Sequence, residues 1–262
     1  MSQNVLGVIG GSGFYQMNGL GKVEMMELET PFGRPSDPFY QGRIGDLQVV
    51  FLARHGRGHR LLPSEINYRA NVFGMKQLGV THLVSVSTAG SLKEEIRPGE
   101  LMIPDQFIDR TFKRPETFFG DGLVVHVSLA DPVCANLAST LAKASRVNGA
   151  TIHEGGTYVC MEGPQFSTRA ESNLYRSYGA SVISMTAMQE ARLSREAEMC
   201  YAALVLVTDY DGVSTVPPKH GRYEPERGPR PDRGYIAVQH HGGAATVWFK
   251  EIALFVGSQS SP

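Results

Sequence analysis

With 262 residues, 42% of them hydrophobic, the chain has enough apolar content to bury a substantial core, and its formal net charge of -1 gives no general attraction for nucleic acid or an anionic membrane. Its three cysteines, Cys134, Cys160 and Cys200, are odd in number and form no CxxC pair, which argues against zinc or redox motifs and leaves reduced, structural thiols as the expectation. Neither a signal-peptide pattern nor a bilayer-spanning apolar stretch is present, so a cytoplasmic location is expected.

In chain order, Val5 to Ile9 is a short β-rich run that ends in Gly10-Gly11-Ser12-Gly13. After a strand, such a turn can curl its N–H groups around a phosphate while Ser12 adds a hydroxyl; a tight turn that needs glycine for its backbone angles fits equally. Neither a Walker ending nor the Rossmann glycine spacing follows. Leu47 to Ala53 is the next strand run, and Arg54-His55-Gly56-Arg57-Gly58-His59 follows it directly. Arginine can grip phosphate through two parallel hydrogen bonds and histidine adds a donor, with a solvated basic loop as the plain alternative. The glycines between His55 and His59 oppose the single helix face of a zinc pair, so no metal site is expected there.

Ser64 is placed to cap a helix that carries Ile66, Ala70 and Phe73 on one face and stops at Gly79. Thr81 to Ser87 predicts a strand whose end, Ser87-Thr88-Ala89-Gly90-Ser91, again offers hydroxyls on a flexible backbone, or is simply a turn. Asp131-Pro132 predicts a helix start, with Leu137, Leu141 and Ala144 along the helix and Gly149 after it. Thr168-Arg169-Ala170-Glu171 has capping-box spacing and opens a third helix bearing Leu174 and Tyr178, stopped by Gly179.

Ser181 to Met185 and Tyr201 to Val207 complete the strand runs, and the second leads into Thr208-Asp209-Tyr210-Asp211. Carboxylates two apart on an extended chain point the same way and can read the N–H edge of a nitrogenous ring; a helix cap or a magnesium site fits the pair as well. The alternation of runs predicts an α/β sheet with helices packed on it and one anion site where several strands end. Residues 1–211 read as one domain. From Gly212 to Gly243 the chain turns dense in glycine and proline, so residues 212–262 are expected to form an atypical, poorly ordered tail in which only Ala244 to Val256 suits a short helix.

Several of these segments occur together and in order with Thr30-Pro31-Phe32-Gly33, Asn67-Tyr68-Arg69-Ala70-Asn71, Asp105-Gln106-Phe107-Ile108-Asp109-Arg110-Thr111, Glu162-Gly163-Pro164 and Phe166-Ser167-Thr168-Arg169-Ala170-Glu171-Ser172. From about Val5 to Asp211 the chain thereby resembles the trimeric purine nucleoside phosphorylase family, in its methylthioadenosine branch. The resemblance implies a single-domain, three-layer α/β fold with a central twisted, partly barrel-like mixed β-sheet flanked by helices, and a homotrimer. The implied reaction is phosphorolysis of a purine nucleoside without metal or organic cofactor, inorganic phosphate being a co-substrate. Ser12, Arg54, His55, Ser87, Thr88 and Thr186 would hold phosphate, with His55, Asp209 and Asp211 as catalytic residues. Met185 would lie against the ribose, Phe166 and Ser167 would line the base pocket, and His126 would reach the 5′ side of a nucleoside in a neighbouring subunit.

The same resemblance implies that Asp209, with its pKa raised by burial beside Asp211, carries a proton to purine N7 while Asp211 accepts from a 6-amino group. Family members acting on 6-oxopurines typically place Asn at the first of these positions, so Asp209 favours adenine. A 6-oxopurine or methylthioinosine phosphorylase is the nearest alternative, followed by a catalytically impaired nucleoside- or phosphate-binding protein and, distantly, a hydrolase with a metal at His55 and His59. Two departures stand out. Ala187-Met188-Gln189 lacks the proline that commonly precedes the glutamate in this family, and residues 212–262 replace a final helix that shapes the 5′ pocket, which is expected to stay open.

Overall fold

Val5–Gly10 is buried along its whole length, the condition of a strand covered by helices on both faces. It is β1 of a computed structural model that describes residues 4–11 and 23–212. Ser12 and the tail beyond Gly212 lie outside the described residues, and with them the expectations for the first glycine loop and for residues 213–262. The elements that follow β1 are β2 Glu24–Met26, β3 Phe39–Ile44, β4 Leu47–Ala53, α1 Tyr68–Gln77, β5 His82–Ser91, β6 Leu101–Ile103 and β7 Gln106–Arg110. Then come α2 Ala135–Val147, β8 Ile152–Glu154, β9 Thr157–Met161, α3 Arg169–Ser177, β10 Val182–Ser184, α4 Ala187–Glu196 and β11 Cys200–Tyr210.

All the strands join one mixed sheet in the order β2-β3-β4-β1-β5-β10-β9-β7, with β11 pairing β5 and β6, and β6 pairing β8. Strand β5 organises it: β1 runs parallel to its first half, β10 antiparallel to its last two residues, and β11 parallel along its whole length. Because β1 and β10 take successive parts of one edge of β5 and β11 takes the other, the sheet branches at β5. Side chains alternate between its faces. Val5 and Ile9 pack with Val72 and Met75 of α1 and Ala187 and Ala191 of α4, whereas Leu6 and Val8 pack with Leu137 and Leu141 of α2. Three layers result. No helix among the described residues is long and apolar enough to cross a membrane.

Several local expectations are corrected. The cap of α1 is Asn67, whose Oδ1 accepts the Ala70 N–H at 3.1 Å, and Ser64 lies before the helix. Helix α2 starts at Ala135 rather than at Asp131-Pro132, because Cys134 is tied to the sheet: its N–H donates to the Tyr201 carbonyl at 2.8 Å. Its sulfur is joined to Cys200, so two of the three cysteines form a disulfide and only Cys160 is a free, buried thiol. The Thr168–Glu171 capping box is present in full, and α3 turns Ser172 and Tyr175 inward, leaving Leu174 and Tyr178 exposed. Ser87 to Ser91 is not a loop but the second half of β5.

Candidate active site

The phosphate residues expected from sequence gather where β4 and β5 meet the start of α4. Arg54 leaves the end of β4 and is buried, with a guanidinium that donates to the Val86 carbonyl at 3.0 Å, the Ser85 hydroxyl at 2.8 Å and the Ile9 carbonyl at 3.2 Å. Its two parallel bonds go to the Glu190 carboxylate, from Nε at 2.5 Å and Nη2 at 3.1 Å, instead of being held free for an anion. Burial opposes the arginine's charge, but the Glu190 carboxylate more than compensates and keeps it ionised. The pair ties β4 to α4 and cancels most of the local charge.

His55 is held by a 2.9 Å contact between Nδ1 and the Leu61 carbonyl, which fixes Nδ1 as the protonated nitrogen and leaves Nε2 an acceptor. Burial pushes its pKa down to about 4, helped by the Arg54 charge and opposed by the Leu61 bond, so the ring is neutral at pH 7. His59 stacks on it with centroids 4.1 Å apart. The glycines that separate them allow a tight turn with positive φ at Gly56 and Gly58, so these rings lie face to face instead of on one helix side.

Ser87 presents a buried hydroxyl oxygen with no hydrogen-bond partner among the described residues, and a buried donor of that kind is costly unless a ligand meets it. Thr88 follows it on β5, exposed, with its carbonyl held by the Ser184 hydroxyl at 2.7 Å. Thr186 is the N-cap of α4, buried and without a side-chain capping bond, and the helix start packs on buried Tyr158 and Cys160, which interact with the Thr186 and Met188 backbones. Met185 precedes it. Arg54, Ser87, Thr88, Met185 and Thr186 are thus brought together, while the place of Ser12 lies outside the described residues.

The two carboxylates stand at the far end of β11. A register shift between Val207 and Asp209 sets Asp209 opposite Gly90. The approach at Gly90 is close: a Cβ there would lie 3.0 Å from Asp209 Oδ1 and 3.1 Å from Asp211 Cβ. Asp209 is exposed and accepts the Thr208 hydroxyl at 2.8 Å. Asp211 is only 5% exposed, and its carboxylate accepts the Ser172 hydroxyl of α3. Burial and then the Asp209 charge raise the Asp211 pKa against the lowering effect of Ser172. The expectation of a buried Asp209 is therefore corrected: next to the register shift Asp209 is exposed, and Asp211 is the buried carboxylate, against Ser172 of α3.

Ser167 adjoins this end through its hydroxyl, 3.4 Å from Met161 Sδ, and Phe166 is 79% exposed. Both line a cleft of about 510 Å³ that also includes Phe112, Glu162 and Glu171 but neither aspartate. His126 is exposed, and no contact among the described residues brings it to the other site residues. Sequence reasoning passed over Glu190, Ser172 and Arg114. Glu190 has a signal of sorts, a carboxylate flanked by Ala187, Met188, Ala191 and Leu193; the other two have none.

A model of the phosphorylase superfamily matches residues 5–225, and the chain belongs to that family. Proteins named S-methyl-5′-thioadenosine phosphorylase are among its similar relatives. That of Geobacter sulfurreducens is 62% identical over 210 residues, 80% of this chain and 73% of the relative, and that of Koribacter versatilis is 59% identical over 209 residues, 80% and 72%. Among solved structures, a methylthioadenosine phosphorylase from an antarctic soil metagenomic library superposes with a TM-score of 0.89 at 43% identity, covering 100% of this chain and 89% of that one. The methylthioadenosine phosphorylase of Schistosoma mansoni in complex with tubercidin gives 0.84 at 32% identity, over 98% and 92%.

Proposed function

We propose that the chain cleaves the N-glycosidic bond of S-methyl-5′-thioadenosine with inorganic phosphate, giving adenine and S-methyl-5-thioribose 1-phosphate. It is thereby a pentosyltransferase of purine and methionine salvage, acting in the cytoplasm as a homotrimer without metal or organic cofactor. The observation that carries the reading is the pair Asp209 and Asp211 flanking Gly90, on the strand next to the one that holds the unpartnered Ser87 hydroxyl.

As the glycosidic bond breaks, positive charge develops on the sugar and negative charge on the purine. Phosphate, the nucleophile, lies against Ser87, Thr88 and Thr186 at the N-terminus of α4 and offsets the first charge. Arg54, balanced by Glu190, fixes the β4 end, and neutral His55 offers Nε2 to a phosphate O–H. Buried Asp211 gives its proton to N7 as the purine leaves and remains as the carboxylate, and exposed Asp209 accepts from the 6-amino group. Two carboxylates at the base edge favour an amino group over a 6-oxo oxygen, which an ionised carboxylate repels.

The test is release of adenine from methylthioadenosine against release of hypoxanthine from inosine at saturating phosphate. Adenine release is expected to be faster and to require phosphate. Inosine as the better substrate would turn the assignment to a 6-oxopurine enzyme, and ligand binding without turnover would make the chain a binding protein.

A further inference from the structure

Arg114 is buried in a loop after β7, and it uses every donor it has. Its Nε donates to Glu162 Oε1 at 3.1 Å. Nη2 donates to the Glu162 carbonyl at 2.7 Å and the Met161 carbonyl at 3.3 Å. Nη1 reaches the Met185 carbonyl, Gln189 Oε1 at 2.8 Å and the Tyr68 hydroxyl at 3.2 Å. A guanidinium has five N–H groups, so none is left for a substrate. Arg114 is therefore not catalytic in its own right.

Its partners fall on both sides of the site. Met161 and Glu162 open the segment that carries Phe166 and Ser167, the base side. Met185 leads into Thr186, the sugar and phosphate side. The two touch at Gly163, where a Cβ would lie 2.5 Å from Met185 Sδ and where φ is +68°. Glu162 is itself locked, accepting the Phe112 N–H at 2.6 Å and the Lys113 N–H at 3.2 Å. Gln189, in place of the proline expected from the resemblance, completes the clamp: its Nε2 donates to the Thr111 hydroxyl at 2.7 Å while its Oε1 takes the Arg114 bond.

We infer that Arg114 is a positioning residue that fixes the base-binding segment 161–167 relative to the sugar- and phosphate-binding segment 185–186. The inference rests on the phosphorolysis proposed above. A flat fork meets carbonyls on both sides at once, which a lysine ammonium cannot do. Loss of the clamp leaves each half-site able to hold its own ligand and misplaces one reacting partner against the other.

The test is the Arg114→Lys variant of the full chain, compared with wild type in thermal unfolding, in separate calorimetric titrations with adenine and with inorganic phosphate, and in turnover of methylthioadenosine. Kcat per folded site is expected to fall about 100-fold, the scale of a misplacement near 1 Å, while both ligands bind close to wild-type strength. The methyl NMR signal of Met185 should also shift or broaden. A folded variant with wild-type kcat, or one whose loss lies wholly in ligand affinity or in folded fraction, overturns the inference. Wild-type protein that fails to release adenine would defeat the proposed function instead, and an unmoved Met185 signal would then decide against Arg114 separately. If the lysine variant does not fold, Gln189→Leu removes one acceptor of the clamp and must show a smaller loss of kcat in the same direction; unchanged kcat there overturns the inference too.

Discussion

Burying Asp211 while Asp209, two residues earlier, stays in solvent gives the pair unequal chemistry. Asp211 interacts with the Ser172 and Ser167 hydroxyls through its side chain and with Ser91 and Arg176 through its backbone. Asp211→Asn keeps its shape and removes its proton. Turnover of methylthioadenosine is expected to fall by the equivalent of about 2–4 kcal/mol of transition-state stabilisation, with phosphate saturation unchanged. Steady-state kinetics with phosphate varied will check this; a matching rise in the phosphate KM would place Asp211 elsewhere in the mechanism. The tetrapeptide Thr208-Asp209-Tyr210-Asp211 was visible in the sequence as a ring-reading motif, but which aspartate is buried was not. That choice is made by a bulge against Gly90 and by a serine on α3, 39 residues earlier in the chain. Arg54 has the same history: its place at a strand end was legible, whereas its partner Glu190, 136 residues on, was not.

Among the elements, the strands legible as apolar runs are β1, β4, the first half of β5, short β10 and β11, whereas β6 and β9 are as buried but too short to stand out from their surroundings. Strands such as β3 and β7, with the sequences FYQGRI and QFIDR, are only partly buried and carry no apolar run to read. Helix α4 escaped for the opposite reason. It buries Gln189, Glu190 and Ser194 as well as its apolar residues, so polar side chains that belong to the Arg54 and Arg114 networks erase its period. The pairing of Cys134 with Cys200 was also beyond the sequence, since spacing alone gave no partner. It joins the start of α2 to the start of β11 across 66 residues, and a cross-link of that span restricts the unfolded chain by about 4 kcal/mol. Thiol titration of the denatured protein is expected to find one free thiol before reduction and three after it, with a lower melting temperature once reduced. Three thiols before reduction would show that the bond does not form, as a reducing compartment favours.

A single chain leaves a run of apolar side chains in water around His126. Val124 is 76% exposed, Leu123, Val125 and Val127 stand out beside it, and Phe112 and Phe166 are exposed together on one cleft. Monomers seldom tolerate a continuous patch of this kind, and a threefold ring covers such surfaces with unlike patches of the next subunit. In the proposed trimer the segment that carries His126 would reach the site of a neighbouring subunit. Sedimentation is therefore expected to give three times the 28.6 kDa chain mass, and Val124→Asp should lower both the mass and the turnover. A sharper measurement mixes two impaired proteins. His126→Ala and Asp211→Asn subunits, unfolded and reassembled together, should regain activity above either alone, because some sites then draw both intact residues from different chains. A monomeric mass at full activity, or mixed assemblies no better than the weaker parent, would confine each site to one chain and leave His126 without a part in it.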